Sequence, residues 1–250
     1  MAKIFEGPVY LEPIEHVYWH KTTGEKYTSV TTVLSALEHE FEEDKIAEAI
    51  SKQREDRRKE AYKGLNKAQI IELWRHINFE ATEYGTMVHE ILERYLLADK
   101  FYFPNDELEK KVIAAYDAVG FDEGDVLWPE RIMFSEKYAL AGTADMIVDV
   151  QDEYFDVGDW KTNKKLDFYS PYRKFMKPPL QNVSQCNFNL YTIQLSIYAY
   201  MYEEETGKKL RQIWIGHWDR EKEEIAKIPV FYARELAIKV LNWHKLRVSL

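Results

Sequence analysis

The 250-residue sequence has little of three things: cysteine, long apolar runs and excess positive charge. Its one cysteine, Cys186, excludes an internal disulfide, a multi-thiolate zinc site and an iron–sulfur cluster with four cysteine ligands, so we expect a reducing, intracellular compartment. No apolar run approaches the roughly 20 residues that span a membrane. The first residues also lack the apolar segment of a secretory signal, and we therefore expect a cytoplasmic protein without a membrane partner.

The charge balance is acidic, with 43 Asp and Glu against 34 Lys and Arg and a formal net charge of −9. This balance disfavours nucleic-acid binding, which depends on basic surface to replace counterions. The net charge is only weak evidence against nucleic-acid binding, because phosphates contact a local basic patch rather than the whole protein surface. The 46% of hydrophobic and 14% of aromatic residues predict a folded chain with a substantial core.

The hydrophobic patterns predict one α/β domain over residues 1–250, with N-terminal strands and a helical elaboration in residues 1–80 and the core in residues 81–250. A hairpin around Gly24 leads to a helix that Ser29 caps. A helical region follows over residues 41–97, with its break at Gly64. Further helices are expected over residues 107–119, 190–205 and 234–247, and strands over 131–134, 144–150, 154–160, 213–218 and 225–230, the first three as an antiparallel meander.

Two of these predicted strands carry acids and a lysine. Asp159 and Lys161 lie two positions apart, so strand alternation puts them on one face, and Asp145 lies on the preceding strand. The two carboxylates could share Mg²⁺ or Mn²⁺, with the backbone carbonyl of Trp160 as a further ligand. The lysine could orient or deprotonate a water, or neutralise charge on a phosphate. The pattern predicts metal-dependent phosphodiester hydrolysis, although residues 159–161 alone more often form an exposed surface strand.

Four short motifs occur in a fixed order along the chain. They are Gly85…His89, Gly142…Asp145, Asp159…Lys161 and Gln194…Tyr198. By these motifs, and by residues 27–31, the chain resembles the RecB-type branch of the PD-(D/E)XK nuclease superfamily and is similar to phage-encoded and mitochondrial genome-maintenance exonucleases. The resemblance covers residues 16–203 and implies a restriction-endonuclease-like α/β core, a central mixed sheet flanked by helices.

The resemblance also implies roles for the motif residues. His89 would be a metal ligand beside the two aspartates. Lys161, Asp145 and Asp159 would be catalytic, and so would Gln194 and Tyr198, which would position the DNA strand. A core-edge histidine and a core tyrosine are the alternatives for His89 and Tyr198. Glu130, before the first meander strand, is either a further acid of the site or a solvated strand end. Relatives that bind an iron–sulfur cluster through four cysteines cannot be matched, because Cys186 is the only cysteine of the sequence.

A basic and aromatic stretch between the lysine motif and the glutamine helix is the predicted DNA path. Cations can follow phosphates while aromatic rings stack on unpaired bases, although a solvated loop anchored by its aromatic residues fits equally well. Ser29 is either a helix cap or a phosphate contact. A second basic run, residues 54–59, alternates with acids and is expected to be salt-bridged. The remaining residues predicted to bind DNA are Lys164, Lys165, Tyr169, Tyr172, Arg173, Lys174 and Lys177.

The resulting hypothesis is a Mg²⁺- or Mn²⁺-dependent DNA exonuclease that acts in DNA recombination, repair or replication. A structure-specific endonuclease that cuts flaps or branches is the alternative within the same class. A non-catalytic DNA-binding subunit on the nuclease fold is the rival from another class, and the intact motifs disfavour it. A generic acidic interaction protein is a remoter reading.

Overall fold

The computed structural model describes residue 3 and residues 7–98, 102–122 and 124–248. These residues form a mixed α/β fold in which helices flank a central eight-stranded mixed sheet, as predicted. The strands are β1 (Val9–Glu12), β2 (Val17–His20), β3 (Lys26–Ser29), β4 (Val126–Ser135), β5 (Leu140–Val150), β6 (Tyr154–Lys161), β7 (Lys209–Asp219) and β8 (Glu224–Val230). The helices are α1 (Val30–Ala36), α2 (Glu43–Ser51), α3 (Lys67–Ala98), α4 (Glu107–Val119), α5 (Asn187–Thr206) and α6 (Arg234–Val248).

Strand β5 has three partners, and their arrangement leaves a gap along one edge. Antiparallel β4 pairs with it from Leu140 to Asp149. The opposite edge is shared, because β3 pairs in parallel only at Leu140 and Ala141, whereas antiparallel β6 pairs only from Met146 onward. Residues 142–145 therefore face an opening between β3 and β6.

Each face of the sheet is covered by its own helices. Helices α1, α5 and α6 pack on one face, in a cluster that includes Ala144 and Ile147, while α3 and α4 pack on the other against Met146 and Val148. Regular alternation would place residues 144 and 146 on the same face. The alternation is therefore offset at Asp145, and across the ladder Glu130 has a positive φ of 46°.

Most predicted elements are confirmed, including the hairpin around Gly24, the antiparallel meander of β4, β5 and β6, and α4 at its predicted bounds. Ser29 caps α1, because its hydroxyl accepts a hydrogen bond from the Thr32 amide at 3.0 Å. Gly207, with a φ of 71°, ends α5, two residues after the predicted helix end at residue 205.

Some boundaries differ from the prediction. The break around Gly64 is wider than one residue, because only two short 3₁₀ turns lie between α2 and α3. Strand β4 is longer than the predicted 131–134, since it follows β5 along its whole ladder. The division of the domain at residue 80 stays a prediction, and β3 and α1 already contribute to the sheet and to the core.

Candidate active site

The β5–β6 ladder stops one residue after Asp145. Its last pair is Met146 with Gly158, and the next amide that would face β5, that of Trp160, donates instead to Asp145 Oδ2 at 2.8 Å. The carboxylate thus occupies the gap between the two strands. It lies at the opening that β3 and β6 leave along β5.

Two further side chains converge on Asp145. Glu130 lies across the β4–β5 ladder from it, and His89 reaches it from α3. One ligand atom from each of the three residues lies within 4.8 Å of the others. A histidine nitrogen and carboxylate oxygens are donors suited to Mn²⁺, and the oxygens also suit Mg²⁺. This set contains Glu130, whose role the sequence left open, and does not contain Asp159.

The hydrogen bonds of His89 test whether a cation fits. Its Nε2 lies 3.0 Å from the Trp160 carbonyl oxygen, and because a carbonyl only accepts, Nε2–H is the donor. Its Nδ1 faces Asp145 Oδ2 at 3.5 Å. In the neutral ring Nδ1 carries a lone pair, so this approach to a carboxylate requires a second proton or a metal ion between them. The Trp160 carbonyl, predicted as a ligand itself, orients the histidine.

Asp159 and Lys161 lie next to this cluster, on the α5 side of β6. The lysine ammonium makes an ion pair with Asp159 Oδ2, which fits the predicted shared face, and the aspartate is only 2% exposed. The ammonium also lies 4.7 Å from the ring centroid of Tyr191 on α5. The sequence interpretation missed Tyr191, although it lies three residues before Gln194 and on the same helix face.

The site has an excess of negative charge. Burial raises the pKa of Glu130 to about 9, and the charges of Asp145, Glu93 and Asp159 add to this effect. Burial also raises the pKa of Asp159 to about 7, although Lys161 opposes the shift. Burial lowers the pKa of Lys161, but Asp159 and Asp145 raise it by more, so the lysine stays charged. When all are ionised, these carboxylates outnumber the one ammonium, and a bound divalent cation would allow them to ionise together.

Two motif glycines allow close approaches around the site. A Cβ on Gly142 would lie 2.7 Å from the Tyr198 hydroxyl, so only glycine lets α5 pack on β5 at this point. A Cβ on Gly85 would lie 3.1 Å from Thr162 Oγ1, where α3 approaches the residue after β6. The glycines at the start of two motifs therefore allow α5 to approach β5, which carries Asp145, and α3, which carries His89, to approach the end of β6.

The model of the PD-(D/E)XK nuclease superfamily matches residues 15–239, which is most of the chain. The chain belongs to this superfamily. The chain is also similar to a solved structure from Eubacterium rectale, a protein named as a putative exonuclease, with 17% sequence identity and a TM-score of 0.38. That similarity covers 68% of this chain and 65% of the other protein, so the chain spans less than two thirds of its length. No curated protein matches the chain.

The two predicted helix residues, Gln194 and Tyr198, lie outside the cluster on α5, where Tyr198 packs against Gly142. Gln194 Nε2 donates to the Tyr198 hydroxyl at 3.2 Å, and the tyrosine is only 1% exposed, with burial holding its pKa well above the usual value. Gln194 is half-buried on the helix face that Tyr191 shares. Tyr198 therefore supports the packing at Gly142, and the catalytic roles of both residues stay predictions.

The predicted DNA-contacting residues lie outside the cluster, in the segment between β6 and α5. Lys164, Lys165, Tyr169, Tyr172 and Arg173 are exposed, the two tyrosines by 81% and 69%. Lys174 and Lys177 are half-buried. Ser29 uses its hydroxyl as a helix cap. Contact of these residues with DNA stays a prediction.

Among the helices of the described residues, none has the length and apolar character of a membrane-spanning segment.

Proposed function

We propose that this nuclease is a metal-dependent DNA exonuclease of the RecB-type branch, similar to phage-encoded and mitochondrial genome-maintenance exonucleases, with a role in DNA recombination, repair or replication. The observation that carries the proposal is the convergence of His89, Glu130 and Asp145 in the gap of the β5 edge, next to the Asp159–Lys161 pair. An opening at a sheet edge gives a phosphodiester access to these groups without unfolding the core.

We propose Mg²⁺ or Mn²⁺ as the cofactor, held by His89, Asp145 and Glu130. Asp159, which lies outside that set, and the Trp160 carbonyl, which accepts from His89 Nε2, stay proposals as further ligands. When bound, such an ion supplies charge stabilisation and an activated water. Two observations support a cation here: the lone pair of His89 Nδ1 faces a carboxylate oxygen of Asp145, and the pKa of Glu130 is raised. A positive charge between these groups would make the first contact favourable and would lower the pKa of Glu130.

The protein's own groups would supply the rest of the chemistry. Lys161 keeps its proton, because neighbouring carboxylates raise its pKa, and so it would neutralise charge on the phosphate and orient the water rather than act as a base. Asp159 would hold the ammonium in place, and Tyr191 would support it from α5. The exposed cations and aromatic rings after β6 would guide the DNA toward the opening.

An end-labelled digestion assay tests the proposal. Linear single- and double-stranded DNA should be degraded from the ends with Mg²⁺ or Mn²⁺ and not with EDTA, whereas Asp159→Ala and Lys161→Ala should be inactive. Equal activity of the three proteins would refute the assignment.

Circular single-stranded DNA separates the alternatives in the same assay. Resistance of the circle supports an exonuclease, and its cleavage identifies the structure-specific endonuclease instead. Metal-independent binding of DNA with no cleavage in any metal would identify a non-catalytic binding subunit.

A further inference from the structure

The helical segment of residues 38–83 is fixed to the segment that follows the catalytic lysine. The His39 amide donates to Gln185 Oε1 at 2.9 Å, and the His39 carbonyl accepts from Gln185 Nε2 at the same distance. Just before it, the Leu37 carbonyl accepts from the Lys177 amide at 2.7 Å. At its other end the segment returns to the core at Gly85, beside Thr162. Both ends of the segment therefore contact residues 162–185.

Aromatic packing braces this helical segment internally. The Trp74 ring packs edge-on against Phe41 and Tyr62, with centroid distances of 5.3 and 6.2 Å, and its Nε1 donates to the Tyr62 hydroxyl at 3.1 Å. An ion pair of 2.7 Å between Arg75 and Glu43 joins α3 to α2. The segment can therefore present a defined surface toward its neighbours.

A cavity of about 380 Å³ lies between this surface and the segment after β6. Its walls come from α2, from the turns after it and from Trp74, and Tyr172 closes it from the other side. Two cations, Arg57 and Lys59, line it, and no Asp or Glu of the described residues does. Such a lining is unusual in a chain with 43 acidic residues and a net charge of −9. It is complementary to an anion that also carries flat apolar groups.

The two cations in the cavity differ from their neighbours in the sequence. Arg54 pairs with Asp56 at 3.1 Å, and Arg58 pairs with Glu55 at 3.1 Å, so the expected salt bridges do form there. Within the described part of the chain, neither Arg57 nor Lys59 makes an ion pair. The basic run thus divides into cations that are neutralised locally and cations that remain available for a ligand.

We propose that this cavity binds an unpaired DNA strand, with Arg57 and Lys59 on its phosphates and Tyr172 stacked on a base. The inference rests on the proposed function, because it names the form of DNA that the same site receives. Tyr172 is 69% exposed and belongs to the segment that joins β6, with Lys161 at its end, to α5, so a strand held here would contact the segment that leaves the catalytic edge. Cations on a backbone and an aromatic ring on a base are the contacts by which proteins bind single strands.

Fluorescence anisotropy with a labelled single-stranded oligonucleotide in EDTA tests the two cations without cleavage. We expect Arg57→Ala/Lys59→Ala to weaken binding about tenfold at low salt and to lower the slope of log K against log salt by about 1.4, or about 0.7 for each phosphate contact. The matched control is Lys52→Ala/Arg54→Ala, which removes the same charge from cations already paired with Glu48 and Asp56. It should bind within twofold of the unaltered protein. Equal loss in both double variants would overturn the proposal.

The stacking contact has its own pair of variants. Tyr172→Ala should lose about five- to a hundredfold in affinity, whereas Tyr172→Phe keeps the ring and should bind normally. An oligonucleotide that is abasic throughout should bind the unaltered protein and Tyr172→Ala equally weakly. Equal binding of normal and abasic strands to the unaltered protein would reduce the cavity to a general anion site and refute the proposal.

The outcome is separable from that of the proposed function. Binding in EDTA needs no catalysis, so the anisotropy experiment measures the strand site independently of cleavage. If the protein cleaves DNA but Arg57→Ala/Lys59→Ala leaves KM unchanged, the strand site is wrong and the nuclease assignment stands. If no metal supports cleavage but the binding differences hold, the nuclease assignment is wrong and the strand site stands.

Discussion

Two buried aspartate–lysine pairs lie at different places on the same sheet, and they differ in what surrounds them. Asp149 pairs with Lys208 at 3.0 Å, and its oxygens also accept from Trp128 Nε1 at 3.0 Å and from the Tyr202 hydroxyl at 2.8 Å. Every donor around Asp149 is therefore used in holding the fold together. Such a fully satisfied network stabilises a structure and offers nothing to a ligand.

The second pair, Asp159 with Lys161, has the opposite surroundings. Its neighbours are further acceptors, because Glu130 and Asp145 lie close by, and burial together with their mutual repulsion raises the pKa of Glu130 to about 9. A cluster of acceptors with one ammonium is costly unless a cation joins it. The comparison teaches that the residue types alone do not mark the site, and that the unbalanced charge does.

The largest expected effect separates two aspartates of β5. Asp145→Asn should lower the cleavage rate by about 10³-fold or more, because it removes charge at the proposed metal site. Asp149→Asn should keep kcat within a few-fold of the value for the unaltered protein, and should lower the melting temperature instead. Steady-state kinetics and thermal unfolding of both variants measure the contrast. Similar losses of kcat in the two variants would break the comparison.

Metal binding should stabilise the protein through one of these aspartates only. Mn²⁺ at 100 times its dissociation constant should stabilise the fold by about 2.7 kcal/mol. Asp149→Asn should retain this increase in melting temperature, and Asp145→Asn should lose it. Thermal unfolding with Mn²⁺ and with EDTA provides the measurement, and an increase that persists in Asp145→Asn would contradict the proposed site.

Substitution of Gly142 tests the packing that positions Asp145. Gly142→Ala forces a methyl group against the Tyr198 hydroxyl, 2.7 Å away, and should destabilise the protein by about 1–3 kcal/mol. Chemical denaturation measures this loss. A second change, Tyr198→Leu, removes the contact, so the double variant should lose less than the sum of the two single variants. Strict additivity would show that the two residues do not restrain each other.

The pH dependence of the metal-free protein tests the charge excess itself. The folded pKa of Glu130 is about 9, above its ordinary 4.5, so between these values the folded state binds a proton that the unfolded state has released. Stability in EDTA should therefore fall as pH rises from about 4.5 to 9, by at most about 1.4 kcal/mol per pH unit from this group. Glu130→Gln should flatten the dependence. An unchanged slope would mean that Glu130 is not held among negative charges.

The sequence predicts most of the helices and strands because local periodicity and caps determine them. It left the role of Glu130 open, because the break in strand alternation at Asp145, opposite which Glu130 has a positive φ, depends on long-range pairing. It could not show that Arg54 forms an ion pair whereas Arg57 lines the cavity, because ion-pair partners depend on where the chain turns after α2. Tyr191 could have been found from its spacing to Gln194.

The most direct test of the account compares the lysines of the two pairs. Lys161 and Lys208 have similarly buried side chains, 18% and 22% exposed, and each pairs with a buried aspartate. With saturating linear DNA and Mn²⁺, Lys161→Ala should cleave at least about 100-fold more slowly while keeping the Mn²⁺-dependent increase in melting temperature. Lys208→Ala should cleave within about twofold of the unaltered protein. Equal cleavage rates for Lys161→Ala and Lys208→Ala would contradict the assignment of the β6 edge as the catalytic site.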